Sequence, residues 1–260
     1  MLTMNDSMTY LRERLVKHSF IAAGISAALI WAAPALAGSA TVDFQPTGGT
    51  TAPGTLAFEN TNQVLPDAAG VLFTIADQQA AGGSDIGSDF TITLNALNLP
   101  DGAADFRSVT RNGAASESVN DWIGADSRNG GQDVTLQVTV SGLAAGQYSW
   151  LSTHHDGGSG VTNGNQLAPA VLTFQATGDP IVVADFAHSA GNGGNTAYSQ
   201  FSTDFTTDGS PVSLSISVND TGLADFAYIN DLTLTQVPEP TGSLLVFAGL
   251  LSVFVLRRRK

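Results

Sequence analysis

The side chains with the widest chemical range gather in one run, His154-His155-Asp156, with His188 a more distant partner. Imidazole and carboxylate together can ligate zinc or exchange a proton near neutral pH. Strand geometry opposes the simple version of either role. Neighbouring side chains on a strand point to opposite faces, so His154 and His155 cannot share an ion unless the backbone breaks there, and Gly157-Gly158 follows at once. The competing expectation is one histidine in a core and the other on the surface at a strand end. Dependable metal and nucleophile motifs are missing: there is no His-Glu-x-x-His, no Gly-x-Ser-x-Gly elbow and no cysteine. Acids are plentiful enough to supply glycosidase-like pairs, but nothing singles one pair out. The sequence therefore nominates no catalytic residue, and the chain reads as a non-enzyme.

Two softer chemistries remain. Asp85 and Asp89, and again Asp121 and Asp126, place carboxylates among Gly, Ser and Asn in segments that read as loops, which is where calcium finds its oxygen ligands. Neither run has the EF-hand spacing or the glycine-rich calcium repeat. Calcium is the one cofactor these residues could take. Aromatic faces could also stack on a sugar ring. Tyr148 and Trp150 share the parity of one strand face and read as core, whereas Trp122, in an Asp/Asn/Gly-rich segment, reads as exposed. Trp122, His155 and Asp156 are thus the ligand-binding candidates.

Such residues need a scaffold, and the composition bounds it. The chain has 260 residues with net charge −13. Between Gly38 and Gln236 only Arg107, Arg111 and Arg128 are basic against 20 acids, so this body carries 3 − 20 = −17 and contains no lysine. A surface of that sign repels phosphate and anionic lipid, which excludes nucleic-acid binding. Without disulfides the body must rest on its core, and a chain of this length can bury one.

Period-two alternation supplies that core. Val134, Leu136, Val138 and Val140 alternate with Thr135, Gln137 and Thr139, and Val212, Leu214, Ile216 and Val218 alternate with serines. Phe90, Ile92 and Leu94 alternate with threonines, as do Leu232 and Leu234. Each set puts aliphatic groups on one face and hydroxyls on the other. Further strands are expected at Val71–Ala76, Gln147–Thr153, Ala170–Ala176, Ile181–Ala187 and Tyr198–Phe205, separated by glycine clusters such as Asn129-Gly130-Gly131 and Gly191-Asn192-Gly193-Gly194. The expected fold is all-β, an antiparallel β-sandwich of jelly-roll-like topology, with an immunoglobulin-like sandwich as the alternative. Leu143, Ala144, Ala145, Gly146 and Tyr148 form a "leucine, small residues, glycine, tyrosine" run, which predicts a corner whose tyrosine hydroxyl reaches back to backbone.

The two ends read as addresses. Arg12, Arg14 and Lys17 precede an apolar run from Phe20 to Ala33, and Ala35 and Ala37 occupy the positions that a signal peptidase inspects. This predicts a secretory signal peptide over residues 1–37, a signal helix cut before Gly38. Residues 38–236 form the sandwich domain, and residues 237–260 form a distinct tail. There Pro238-Glu239-Pro240 is held extended by its prolines, Thr241 to Leu256 is apolar, and Arg257, Arg258, Arg259 and Lys260 end the chain. Sixteen apolar residues rise roughly 24 Å as a helix, a short transmembrane span for a ~30 Å hydrocarbon core. The basic cluster favours the cytoplasmic side.

This tail resembles the PEP-CTERM sorting signal of diderm bacteria that make extracellular polysaccharide, on the tripeptide, the span and the basic end together. The resemblance implies recognition by an integral-membrane exosortase, cutting near the motif, after export past signal peptidase and a transient stay in the membrane. The alternative is a permanent C-terminal anchor. The runs Asn120–Asp126, Tyr148–Asp156 and Phe226–Leu232 look similar to segments that recur in PEP-CTERM proteins with a carbohydrate-module-like sandwich. That resemblance implies a cell-surface or biofilm-matrix protein, associated with exopolysaccharide or adhesion, and identifies no ligand. A carbohydrate-binding module and a secreted polysaccharide hydrolase are the alternative functions.

Overall fold

Hydroxyl-aliphatic alternation becomes strand wherever the sequence shows it. A computed structural model describes residues 38–60, 71–75, 86, 89–97, 106–111, 117–126, 133–157, 168–190, 198–219 and 226–238. The expected signal peptide with Ala35 and Ala37, Asp85, the motif residues Glu239 and Pro240, the expected span at 241–256 and Arg257–Lys260 lie outside the described residues. Among the described residues no helix is long and apolar enough to cross a membrane, and the one helical element is a 3-10 turn at Glu117–Val119.

The strands, in chain order, are β1 (Ser39–Pro46), β2 (Leu56–Asn60), β3 (Val71–Ile75), β4 (Phe90–Leu97), β5 (Phe106–Thr110), β6 (Asp121–Asp126), β7 (Val134–Ser141) and β8 (Gly146–Asp156). They continue with β9 (Ala170–Gln175), β10 (Ile181–Phe186), β11 (Ser189–Ala190), β12 (Ser199–Thr207), β13 (Val212–Val218), β14 (Phe226–Ile229) and β15 (Asp231–Val237). One six-stranded sheet runs β10-β9-β13-β7-β4-β3, all antiparallel. A second holds β8, β15, β1 and β2 in that order, with β11 and β12 also on β8. A small third sheet, β14-β6-β5, packs against strands of both.

The two large sheets face each other as a β-sandwich. In the first, Leu94, Val138, Leu214 and Phe174 stand in register across four strands and are all buried. Each fully buried aliphatic side chain there contributes about 1.5–3 kcal/mol. From the second sheet, Trp150 meets the edge of Phe174 at 5.4 Å, and Phe201 and Phe205 pack on the same ring. The third sheet adds Ile123, Ala125, Ala227 and Ile229 to this core. Tyr148 donates its hydroxyl to the carbonyl of Ala144 at 3.1 Å, so the tyrosine corner forms as expected. Gly142 permits it: its φ is +89°, and a Cβ there would lie 2.9 Å from the carbonyl oxygen of Asp89.

The expected strands after Val71, Gln147, Ala170, Ile181 and Tyr198 all appear, with ends shifted by a few residues. One expectation fails outright. Asp121 to Asp126, read as a loop from its Asp and Gly content, is the central strand of the third sheet. Pairing on both sides supplies what local propensity lacks.

The first and last strands pair with each other. Ser39 lies opposite Thr235, and the amide of Gln236 donates to the carbonyl of Gly38 at 2.8 Å. Both ends of the domain therefore leave the same end of the second sheet.

Candidate functional site at the end of strand β8

Strand β8 is eleven residues long and outruns its neighbour. Its ladder with β15 stops at Thr153 opposite Asp231, leaving His154, His155 and Asp156 to find other partners. Asn230 takes over on that side. Its backbone amide donates to Thr153 O at 3.0 Å, and its side-chain oxygen accepts the amide of His155 at 2.6 Å. Its side-chain nitrogen donates to the carbonyls of Asp121 at 2.7 Å and His155 at 2.9 Å. One fully buried amide thus ties β8, β6 and the β14–β15 junction together. On the opposite edge Ser189 of β11 does similar work. Its hydroxyl contacts His155 Nδ1 at 2.9 Å and accepts the amide of Ser199 at 2.8 Å.

Alternation along β8 sends His154 and Asp156 inward and His155 to the other face, as strand parity predicts. His154 is fixed in one tautomer. Its Nδ1 stands 2.8 Å from the carbonyl of Tyr228, which can only accept, so Nδ1 carries the proton. Its Nε2 then accepts from Ser152 Oγ at 2.9 Å, and that hydroxyl accepts from Trp150 Nε1 at 3.2 Å. Burial lowers the pKa of this imidazole to about 4, against a smaller opposing effect of the Tyr228 carbonyl. His188 stacks on it, with centroids 6.0 Å apart and planes 13° apart, and touches Phe186 and Tyr228. Its residue is half-exposed, yet both ring nitrogens are buried without a hydrogen-bond partner. Burial first, and then the charge of His154, push its pKa down to about 3. Both rings are neutral at physiological pH.

Asp156 accepts from Arg111 Nε at 2.8 Å and, more weakly, from Trp122 Nε1 at 3.4 Å. Trp122 lies 5.3 Å from the ring of Tyr228 and meets Phe226 edge-on. Gly124 makes this packing feasible. Tyr228 pairs directly with it, and a Cβ on Gly124 would fall 2.6 Å from the Cβ of Tyr228 and run into the carbonyl oxygen of Ala227. Burial, and then the nearby Asp156 carboxylate, raise the Tyr228 phenol well above its ordinary range.

Several sequence expectations change here. Trp122 is fully buried and forms no exposed stacking platform. Tyr148 and Trp150 are core residues, as their shared parity predicts; Tyr228 is fully buried as well, and Tyr198 is half-buried with its ring 4.8 Å from that of His155. His155 is buried, covered by Ser189 and Tyr198, and is not the surface member of the pair. The structure joins Trp122 to Asp156 and to Tyr228, and it adds Arg111 and Asn230, which the sequence alone does not nominate. Their signal was faint: Arg111 is one of three cations in the body, and Asn230 interrupts an otherwise alternating run.

Of the calcium candidates, Asp85 lies outside the described residues; Asp89 is exposed just before β4, and Asp121 is buried at the start of β6. Asp126 ends the same strand, roughly 17 Å from Asp121 at strand rise, too far to share an ion. Among the described residues no three His, Cys, Asp or Glu side chains are grouped to hold a metal ion. Chemically, the end of β8 is a buried polar cluster, hydrogen-bonded except at the His188 ring nitrogens and the Tyr228 hydroxyl. The His154 and His188 rings are neutral, the Asp156 carboxylate is held by a guanidinium, and the Asn230 amide is spent on backbone.

No protein-family model matches the sequence, and no curated protein does. Among solved structures the chain is similar to a family 35 carbohydrate binding module from Clostridium thermocellum, at 8% identity over 63% of this chain and 97% of that one, with TM-score 0.30. It is also similar to a family 35 module from Cellvibrio japonicus, at 15% identity over 55% and 98%, with TM-score 0.26. A Bacteroides uniformis β-glucuronidase matches at 8% identity over 75% of this chain but only 28% of its own, with TM-score 0.32. At these scores the likenesses carry no argument about what this chain binds or does.

Proposed function

We propose that this protein is an exported, exosortase-processed, non-catalytic β-sandwich of the cell surface or extracellular matrix of a diderm bacterium, associated with exopolysaccharide. The observation that carries this reading is the fit between fold and addresses. The first strand begins at Ser39, one residue past the expected signal cut, and the last ends at Val237, immediately before Pro238. Both segments, and with them signal peptidase and exosortase, would meet the domain at one end, where Gly38 and Gln236 are bonded. The interleaving of distant strands, with β15 between β1 and β8 and β13 between β7 and β9, supports jelly-roll-like wiring.

The absence of an assigned reaction rests on chemistry. His154, Asp156 and Asn230 are engaged in structural hydrogen bonds, so a hydrolase built on His155 and Asp156 would have to dismantle the core first. The intact mass of the extracellular protein tests the processing. A product ending near Glu239 or Pro240 supports it; a product still ending in Lys260 overturns it.

A further inference from the structure

On strands β9, β13, β7 and β4 the outward-facing side chains are uncharged and, Thr135 apart, at least partly exposed. Register aligns Thr93, Thr139 and Ser213 in one row across β4, β7 and β13, and Asn95, Gln137 and Ser215 in the next. Every one of these six is half-exposed. The rows continue the same way on β9, and no Asp, Glu, Lys or Arg faces outward anywhere on β4, β7, β13 or β9. The second sheet differs: there the exposed Asp204 stands opposite Ser149 on the outer face. A body of net charge −17 thus keeps the outer sides of four adjacent strands free of charge.

We infer that this face is the surface on which the protein docks an uncharged polysaccharide. The physical case has three parts. A neutral partner escapes the repulsion that the rest of the body exerts on anionic polymers, and cationic polymers would be drawn to the acidic faces instead. Hydroxyl and amide side chains each donate and accept, matching a glycan's hydroxyls, and threonine methyls offer small apolar contacts between them. The pleat repeats these groups about every 4.8 Å across strands and about every 7 Å along them, so a long polymer engages many weak contacts at once. A second copy of the chain is disfavoured on the same face, since Ser and Thr bury little apolar area and two such bodies repel.

This inference rests on the exopolysaccharide reading above and locates it. The test uses the exported protein as cells release it, in affinity electrophoresis through neutral glucan, mannan and galactan, through anionic alginate and through cationic chitosan. Retardation by a neutral polymer is expected, with affinity falling about tenfold or more in Thr139→Glu/Ser215→Glu. Ser202→Glu, an exposed position on β12 of the other sheet, should leave binding unchanged. Thr139→Val/Ser215→Ala removes hydroxyls without adding charge and covers the case in which the glutamates unfold the sheet; it too should weaken binding. Wild-type binding to a neutral glycan that both double variants retain overturns this face and leaves the matrix reading standing. No retention by any polysaccharide overturns both. Retention by alginate or chitosan alone, or variant-sensitive dimerisation in place of glycan binding, overturns the neutral-glycan assignment.

Discussion

The side-chain oxygen of Asn230 accepts the amide of His155 at 2.6 Å, which makes a side chain the continuation of a β-ladder. A carboxylate can copy this acceptor but cannot replace the amide nitrogen, which donates to Asp121 O and His155 O. Asn230→Asp should therefore be at least as harmful as Asn230→Ala, each costing about 3–5 kcal/mol because buried backbone carbonyls lose their donors. Urea denaturation measures this, and a cost below 1 kcal/mol would remove the role assigned to this residue.

Acid should destabilise the domain through the stacked histidines. Both have folded pKa values below the ordinary 6.5 of a free imidazole, about 4 for His154 and about 3 for His188. The unfolded chain thus binds protons first as pH falls. Their contribution is fully present above pH 6.5 and is lost progressively down to about pH 3, a drop on the order of several kcal/mol. His188→Phe should flatten the midpoint-versus-pH curve between pH 6 and 4. An unchanged slope would show that His188 reaches water when it titrates.

Arg111 and Asp156 form a part-buried ion pair, in which the Asp156 side chain is 2% and the Arg111 side chain 33% exposed. Arg111→Met takes the guanidinium away from a buried carboxylate and should cost about 3–5 kcal/mol. Asp156→Asn in the same background should recover a large part of that loss. A double-mutant cycle with no coupling would show that the pair is not a unit.

Gly124→Ala places a methyl 2.6 Å from the Cβ of Tyr228. Either β14 moves off β6 or Tyr228 leaves its place beside Trp122, so a loss of about 2–4 kcal/mol is expected. A simultaneous drop in near-UV dichroism would report the displaced aromatic pair, while an unshifted melting midpoint would contradict the close approach.

Where one strand face is hydroxyl and the other aliphatic, as in Val134–Ser141 and Val212–Val218, local sequence alone specified strand, face and core. The Tyr148 corner was legible for the same reason, since all its parts lie within a few residues. Strand parity also placed His154 and His155 on opposite faces. What covers the outer face at His155 was not legible, because Ser189 and Tyr198 reach it through pairings more than thirty residues away. Residues 121–126 were misread for a related reason. Their Asp and Gly content signals a loop, and only the flanking strands at 106–110 and 226–229 make them a central strand, with Gly124 there to admit a tyrosine. The role of Asn230 follows from the end of a ladder, which no local pattern announces.

The pairing of β1 with β15 has a mechanical consequence. With the first residue of β1 and the last of β15 at one end of the sheet, a pull between them would peel these strands apart one hydrogen bond at a time. A pull on the C-terminal end against the far side of the body instead loads the bonds of β15 to β1 and β8 together, in shear. A domain held by its tail alone would resist flow far better than one held at both ends, so removal of the N-terminal segment would convert an easily unzipped module into a strong link.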